Sequence, residues 1–197
     1  KNISTLYSDI ENLVEADLYL SESISVYENS LGIDHPEYAA ALVSYGNLLR
    51  RIGNTIDAEV YYLRAIKIYK LDSLRNNLDL AYAIRMLGNL YMDTGNYSSS
   101  EDLLLEAQGI TSCISGMQSA EYADVLYDFG CLYFLCKDWR NSTNYFLKAS
   151  LVFHNLDSLY YFDDYLFCLN GLGAAYLNDG DSILALKLLN LTINRCE

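Results

Sequence analysis

Apolar positions along the chain follow a long pattern that repeats about every 42 residues. Four glycines mark its register, with separations of 42, 42 and 43 residues: Gly46, Gly88, Gly130 and Gly173. The first copy reads Leu42-x2-Tyr45-Gly46-x2-Leu49, and the other three keep large apolar residues at the same positions. Residues spaced by three, four and seven fall on one face of an α-helix. The pattern therefore predicts a recurring helix with one buried face.

A second pattern begins twelve residues after each glycine and combines small with large side chains. In the first copy it consists of Ala58, Tyr62 and Ala65, and the later copies keep the order of a small, a large and a small residue. Small residues allow two helices to approach closely, and the large one fills the remaining space. A glycine inside a helix costs about 1 kcal/mol relative to alanine. We therefore expect each register glycine to lie against a neighbouring helix.

A short polar turn separates the two helices of each copy. Gly followed by Asn or Asp occurs at 53–54, 95–96 and 180–181, which is typical of a helix that ends in a left-handed residue. The third copy has Lys137 in place of the glycine, so we predict that its turn is the most strained or differently shaped. The pattern predicts these helices: 2–10, 11–30, 37–52, 55–73, 77–93, 97–113, 119–136, 139–156, 161–178 and 181–195.

Both ends of the chain fit the same register. Residues 3–7 align with residues 87–91, and Ala16, Leu20 and Ser23 align with the small-large-small positions. Neither end has the polar capping helix that a free helical array needs, so we expect the chain to be an excerpt of a longer protein. The expected organisation is one array over 1–197, divided into a partial repeat and four full ones: 1–31, 32–74, 75–116, 117–158 and 159–197.

These motifs resemble the tetratricopeptide repeat (TPR). The usual period of that repeat is about 34 residues, and the longer period resembles kinesin light chains and scaffold proteins associated with caspase-like CHAT proteases. Residues 32–39 look like the Gly-x-Asp-His-Pro-x-x-Ala linker of that class, of which the later copies keep only the acidic-x-Ala end. The resemblance implies an all-α fold, a right-handed α-solenoid of antiparallel helix hairpins (TPR superhelix).

Composition limits the classes of partner. The formal charge is −13, which argues against nucleic acid and anionic membranes because each phosphate contact needs a cation. This charge either keeps an apolar protein soluble or matches a basic partner. No signal peptide or 18-residue apolar run occurs. The five cysteines form no CxxC motif and lie mostly in apolar helical patterns, so we expect a reducing, cytoplasmic location.

The sequence predicts no catalytic residues, no metal site and no cofactor. The only histidines, His35 and His154, lie almost three repeats apart, whereas each repeat contacts only its neighbours. Cys131 and Cys136 are five residues apart and do not align as metal ligands on one helix face. No Walker-type loop or GxGxxG motif occurs. We expect His35 and Pro36 to begin a helix, and we expect the chain not to be an enzyme.

The resemblance also implies where a partner would bind, because the first helices of TPR hairpins line the concave face of the array. The candidate groove residues are those off the packed stripe: Asn47, Arg51, Tyr82, Arg85, Asn89, Asp93, Asp124, Tyr127 and Asp128. An amide can donate to and accept from an extended peptide, and arginine pairs with carboxylates. The groove would change from basic to acidic along its length and could set a peptide's direction. The alternative is that these are ordinary solvated charges on an open face.

Two functions remain open at this point. The leading hypothesis is a protein–protein interaction scaffold that binds a protein or peptide in the concave groove. The alternative is a structural or regulatory segment that packs against an appended effector domain, for example a CHAT-type protease, or that associates with itself.

Overall fold

The structure is a computed structural model that describes residues 3–71, 78–156 and 160–188, with side chains from residue 12 onward. Regular secondary structure within those ranges is helical, and residues 182–188 form the described part of a last helix. The chain forms two compact units, Lys1–Leu90 and Tyr91–Glu197. The complete helices are α1 Ile3–Ser30, α2 Pro36–Arg51, α3 Thr55–Leu71, α4 Leu78–Asp93, α5 Tyr97–Ile114, α6 Ala120–Leu135, α7 Trp139–Asn155 and α8 Phe162–Asp179.

From α2 to α8, every helix begins and ends within two residues of its predicted bounds. In the first unit α2 packs against α1 and α3, and in the second unit α6 packs against α5 and α7, which also packs against α8. The all-α fold and the alternation of paired helices are therefore confirmed. The predicted helix 181–195 can be followed to residue 188, and its remainder lies outside the described residues.

The N-terminal helix differs from the prediction. Residues 2–10 and 11–30 were expected to form two helices, but α1 runs without a break from Ile3 to Ser30, so this prediction is wrong. Glu11 and Asn12 stand where Gly53 and Asn54 form the turn one period later. A left-handed residue at that point is easy for glycine and costs other residues roughly 1–2 kcal/mol. Continuing the helix avoids this cost.

The turns between paired helices share one geometry. The amide of Gly53 donates to the carbonyl of Arg50 (3.1 Å), and the next amide donates to the carbonyl of Leu49 (2.9 Å). The same two bonds recur at Lys137, where the distances are 3.0 Å and 2.9 Å. Lys137 has φ +60° and is the only non-glycine with positive φ among the described residues. The third turn is therefore strained, as predicted, although its shape is that of the others.

Two of the four register glycines lie directly under a large side chain of the second helix. A Cβ atom added to Gly46 would lie 2.7 Å from the ring of Tyr62, and one added to Gly130 would lie 2.6 Å from Phe146. The hydroxyl of Ser142 donates to the carbonyl of Gly130 at 2.9 Å, so the small residue also holds the helices together. The expected close approach is confirmed at these two positions.

The linker before the first helix of a repeat is better retained than the sequence suggested. Gly32 and Gly116, two periods apart, have φ of +91° and +81°. His35 caps α2 by accepting a hydrogen bond from the amide of Glu37, with Pro36 as the first helical residue. Ser119 caps α6 by accepting a hydrogen bond from the amide of Tyr122. The predicted role of His35 and Pro36 is confirmed. The turn glycine recurs at Gly116, directly before the third repeat, although only the acidic-x-Ala end was expected there.

Candidate partner-binding surface

The predicted groove residues of the first unit include a chain of hydrogen bonds that ends at an exposed tyrosine. The buried Tyr62 hydroxyl donates to Oδ1 of Asn47 at 2.7 Å. The Nδ2 of Asn47 donates in turn to the hydroxyl oxygen of Tyr82 at 3.2 Å. Since that oxygen accepts, the Tyr82 hydroxyl keeps its own hydrogen to donate. The side chain of Tyr82 is 43% exposed, so the chain presents a donor at the surface.

Arg85 lies beside this tyrosine on α4. Its Cζ is 5.6 Å from the centroid of the Tyr82 ring, within the range of a cation–π contact. Arg51 is exposed in the last turn of α2. Asn89, also predicted to contact a ligand, is only 7% exposed. The accessible side chains of Tyr82, Arg85 and Arg51 therefore present hydrogen-bond donors and positive charge.

The groove residues predicted in the second unit lie near two thiols, the half-buried Cys131 and the buried Cys168. Burial, together with the neighbouring Asp128 carboxylate, raises the pKa of Cys131 to about 12. Burial also raises the pKa of Cys168 and of Tyr127. The ring centroid of Tyr127 lies 5.4 Å from that of Phe146. These groups remain protonated at neutral pH, so the thiols are poor nucleophiles and serve as packing.

Acidic residues dominate the first helices of the second unit. Together α6 and α8 contain six carboxylates and neither lysine nor arginine: Glu121, Asp124, Asp128, Asp163, Asp164 and Asp179. Asp124 is half-buried and Asp128 is 7% exposed, while Asp93 is exposed at the end of α4. Leu135 and Phe167 are large apolar side chains left 46% and 58% exposed. Negative charge and exposed apolar area therefore occur together on these helices.

One functional relationship was missed by the sequence reasoning. Tyr62 was interpreted as packing alone, yet it also orients the amide of Asn47. A signal was available, because a buried tyrosine hydroxyl usually finds a hydrogen-bond partner and Asn47 directly follows the glycine against which Tyr62 packs.

Few side chains among the described residues could support catalysis or metal binding. No group of three or more His, Cys, Asp or Glu among them could hold a metal ion. His154 is exposed, with its ring centroid 5.4 Å from that of Tyr165. The thiols of Cys113, Cys131, Cys136 and Cys168 are free, and Cys196 lies outside the described residues. Within the same ranges, every helix is too short or too polar to cross a bilayer.

Comparison with known proteins agrees with this architecture. The family model of the tetratricopeptide repeat matches residues 1–70. The structural neighbours of the chain include proteins with TPR-like repeats of the kinesin light chain type. A search of curated proteins gave no match.

Several solved structures superpose over nearly the whole chain. BtubC (BKLC) from P. vanneervenii has 21% identity and a TM-score of 0.80, covering 96% of this chain and 75% of its own. A P. anserina protein with nearly identical TPR-like repeats of the kinesin light chain type has 16% identity and a TM-score of 0.73, covering 98% and 90%. The APC/C hetero-tetramer Cut9-Hcn1 has 17% identity and a TM-score of 0.69, covering 95% and 31%. These superpositions show that the fold is that of a TPR α-solenoid.

Proposed function

We propose that the chain is an interaction scaffold that holds a peptide or protein along the first helices of its repeats. The observation that carries this proposal is the chain of hydrogen bonds from Tyr62 through Asn47 to the exposed Tyr82. A side chain fixed in this way loses little conformational freedom when a ligand arrives, which favours binding. The TPR fold and the presence of one structural neighbour in a hetero-tetramer support a binding role.

The two units favour different groups on the partner. Tyr82 and Arg85 in the first unit suit a carboxylate or a backbone carbonyl, since both residues donate. In the second unit the half-buried Asp124 suits a basic side chain, with the half-buried Tyr127 as a neighbouring apolar surface.

We also infer that the chain is not an enzyme and that it works in the cytoplasm. Free, protonated thiols fit a reducing compartment. An appended effector domain such as a CHAT-type protease remains the alternative use of the array, and no residue of the described surface favours it specifically.

The groove can be tested with peptides selected from a displayed random library on the wild-type chain. Tyr82→Phe, and the double variant Arg85→Ala with Asn89→Ala, should each weaken the selected peptides at least fivefold by fluorescence polarisation. Matched controls are Tyr160→Phe and Arg140→Ala, which change exposed residues outside the groove. Undiminished binding by the double variant, with the fold intact by circular dichroism, would reject this site.

A further inference from the structure

A pocket of about 500 Å³ opens in the second unit, where the linker before α6 meets the last turns of α7. Its apolar lining consists of Met117, Tyr122, Leu126, Leu151 and Val152. Leu126 and Val152 are buried members of the core of this unit. Met117 and Leu151 lie at the edge, where they are 64% and 53% exposed. The size and the apolar lining are typical of a site for a small ligand.

The tyrosine of this pocket is covered in the first unit and uncovered in the second. Residues 84 positions apart are equivalent, so Arg64 corresponds to Lys148 and Tyr38 to Tyr122. The Cζ of Arg64 lies over the ring of Tyr38, 5.0 Å from its centroid, and Tyr38 is 0% exposed. Tyr122 is only half-buried. The guanidinium group of the first unit thus covers the ring that lines the pocket in the second.

Lys148 lies over a different ring. Its Nζ is 5.3 Å from the centroid of Tyr145, one turn earlier on α7. The following turn of α7 also differs from α3, since Leu151 stands where the first unit has the exposed Lys67. The exchange of arginine for lysine and of lysine for leucine therefore leaves an apolar pocket with one ammonium group at its edge.

The charge at the pocket indicates the head group of its ligand. Among the described residues that line it, Lys148 alone is charged. One ammonium group balances one negative charge, which suits a carboxylate better than a phosphate with its second charge. The formal charge of −13 on the whole chain disfavours the adsorption of anions in general. An anion that binds in this pocket is therefore held by Lys148 and the apolar walls.

We propose that this pocket binds a small apolar carboxylate, with its alkyl or aromatic body against Leu126 and Val152 and its oxygens on the Nζ of Lys148. Burial of the body supplies most of the affinity, and the charge-assisted hydrogen bond orients the ligand. Because an ammonium group has three donors, Lys148 can bind the carboxylate while it stays over Tyr145. The site is separate from the groove residues and does not depend on the proposed groove function.

Decanoate, kept well below the concentration at which it forms micelles, is a suitable probe. Calorimetric titration into the full chain should show saturable binding of one decanoate per chain. Butyrate has the same head group and a short body, and it should bind at least tenfold more weakly. Decanoate should also raise the midpoint of thermal unfolding, because it binds the folded state. A photoreactive diazirine analogue should label peptides that contain residues 117–126 or 148–155, as located by mass spectrometry.

Variants separate the pocket from general adsorption. Lys148→Met keeps about the same side-chain length without the charge and should weaken decanoate at least fivefold, and Leu151→Ser should weaken it at least threefold. The matched control Lys67→Met removes an exposed lysine from the first unit and should leave binding unchanged. Absence of saturable binding, equal binding by Lys148→Met, or labelling elsewhere would overturn the proposal. A mass of twice 22.3 kDa by light scattering, reduced to 22.3 kDa by Leu151→Ser, would also overturn it, because a second copy would then cover the pocket.

Discussion

The hydroxyl of Tyr45 on α2 donates a hydrogen bond to the carboxylate of Asp17 on α1, 2.9 Å away. Two periods after Asp17, Glu101 on α5 accepts a hydrogen bond from Tyr133 on α6. In both units a carboxylate on the second helix of one repeat is thus bound by a tyrosine on the first helix of the next. This contact recurs with the sequence period and fixes adjacent repeats to one another.

The bond between Tyr45 and Asp17 should make stability depend on pH in the alkaline range. The hydrogen bond, followed by burial, raises the pKa of Tyr45 from 10.0 to about 12. The folded state therefore holds this proton more tightly than the unfolded state, and the stabilisation is complete below pH 10 and lost as pH rises towards 12. We expect Tyr45→Phe to lower the free energy of unfolding by about 1 kcal/mol at pH 8. Urea titrations of both proteins should show this difference shrinking between pH 10 and pH 12, and a constant difference would contradict it.

Lys137→Gly should stabilise the protein. Lys137 occupies a left-handed position at φ +60°, where glycine stands in three equivalent turns. Relief of the steric cost, offset by the greater freedom of glycine in the unfolded chain, predicts a gain of about 0.5–1 kcal/mol in the free energy of unfolding. Denaturant titration measures it, with Gly95→Ala as the reverse control, which should destabilise. A loss of stability in Lys137→Gly would show that the lysine side chain contributes more than its backbone costs.

Alanine should have opposite effects at two helical glycines. A Cβ atom at Gly130 would lie 2.6 Å from Phe146, whose ring also approaches Gly171 and has no room to move away. We expect Gly130→Ala to destabilise by about 1–3 kcal/mol through overpacking. Gly109 on α5 has no neighbour within 4 Å of such an atom, so Gly109→Ala should stabilise by up to about 1 kcal/mol. Thermal unfolding of the two variants side by side tests the pair, and a shift of the same sign in both would refute it.

The cysteines should differ widely in reactivity. Cys113 is exposed, whereas burial raises the pKa of Cys131 to about 12 and also that of the buried Cys168. Because the thiolate is the reactive form, iodoacetamide at pH 8 should label Cys113 first and leave Cys131 and Cys168 unmodified in the native protein. Peptide mass spectrometry over time follows each site, with urea-unfolded protein as the control for full labelling. Early labelling of Cys168 would mean that α8 opens readily from α7.

Most of the fold could be predicted from the sequence because one register recurs. Gly46 and Tyr62 are both specified by close helix packing, and the turn at Gly53 is specified by backbone conformation. The predicted break before Glu11 was wrong. The apolar positions keep their register there, but the glycine that forms the equivalent turn at Gly53 is absent. The side chain of Glu11 disfavours the left-handed conformation, so the helix continues at a point where the apolar register alone predicts a turn.

The candidate site was less predictable, because burial on a helix depends on which neighbours surround it. Asn47 and Asn89 have the same register, yet Asn47 is oriented by Tyr62 and Asn89 is 7% exposed. The first repeat has Tyr62 at the large position of the second helix, and its hydroxyl binds the amide of Asn47. The second repeat has Leu104 at this position, which has no hydroxyl to bind Asn89. Helix periodicity gives the face on which a residue lies and leaves its hydrogen-bond partners unspecified.

The position of Phe146 has a consequence for the local opening of helices α6, α7 and α8. Its ring rests against Gly130 of its own repeat and Gly171 of the next, so one side chain belongs to the interior of both. Separation of α8 from α7 would uncover the same ring that holds α6 in place. Amide hydrogens across these three helices should therefore exchange with deuterium at a common rate, as one cooperative opening, and not helix by helix.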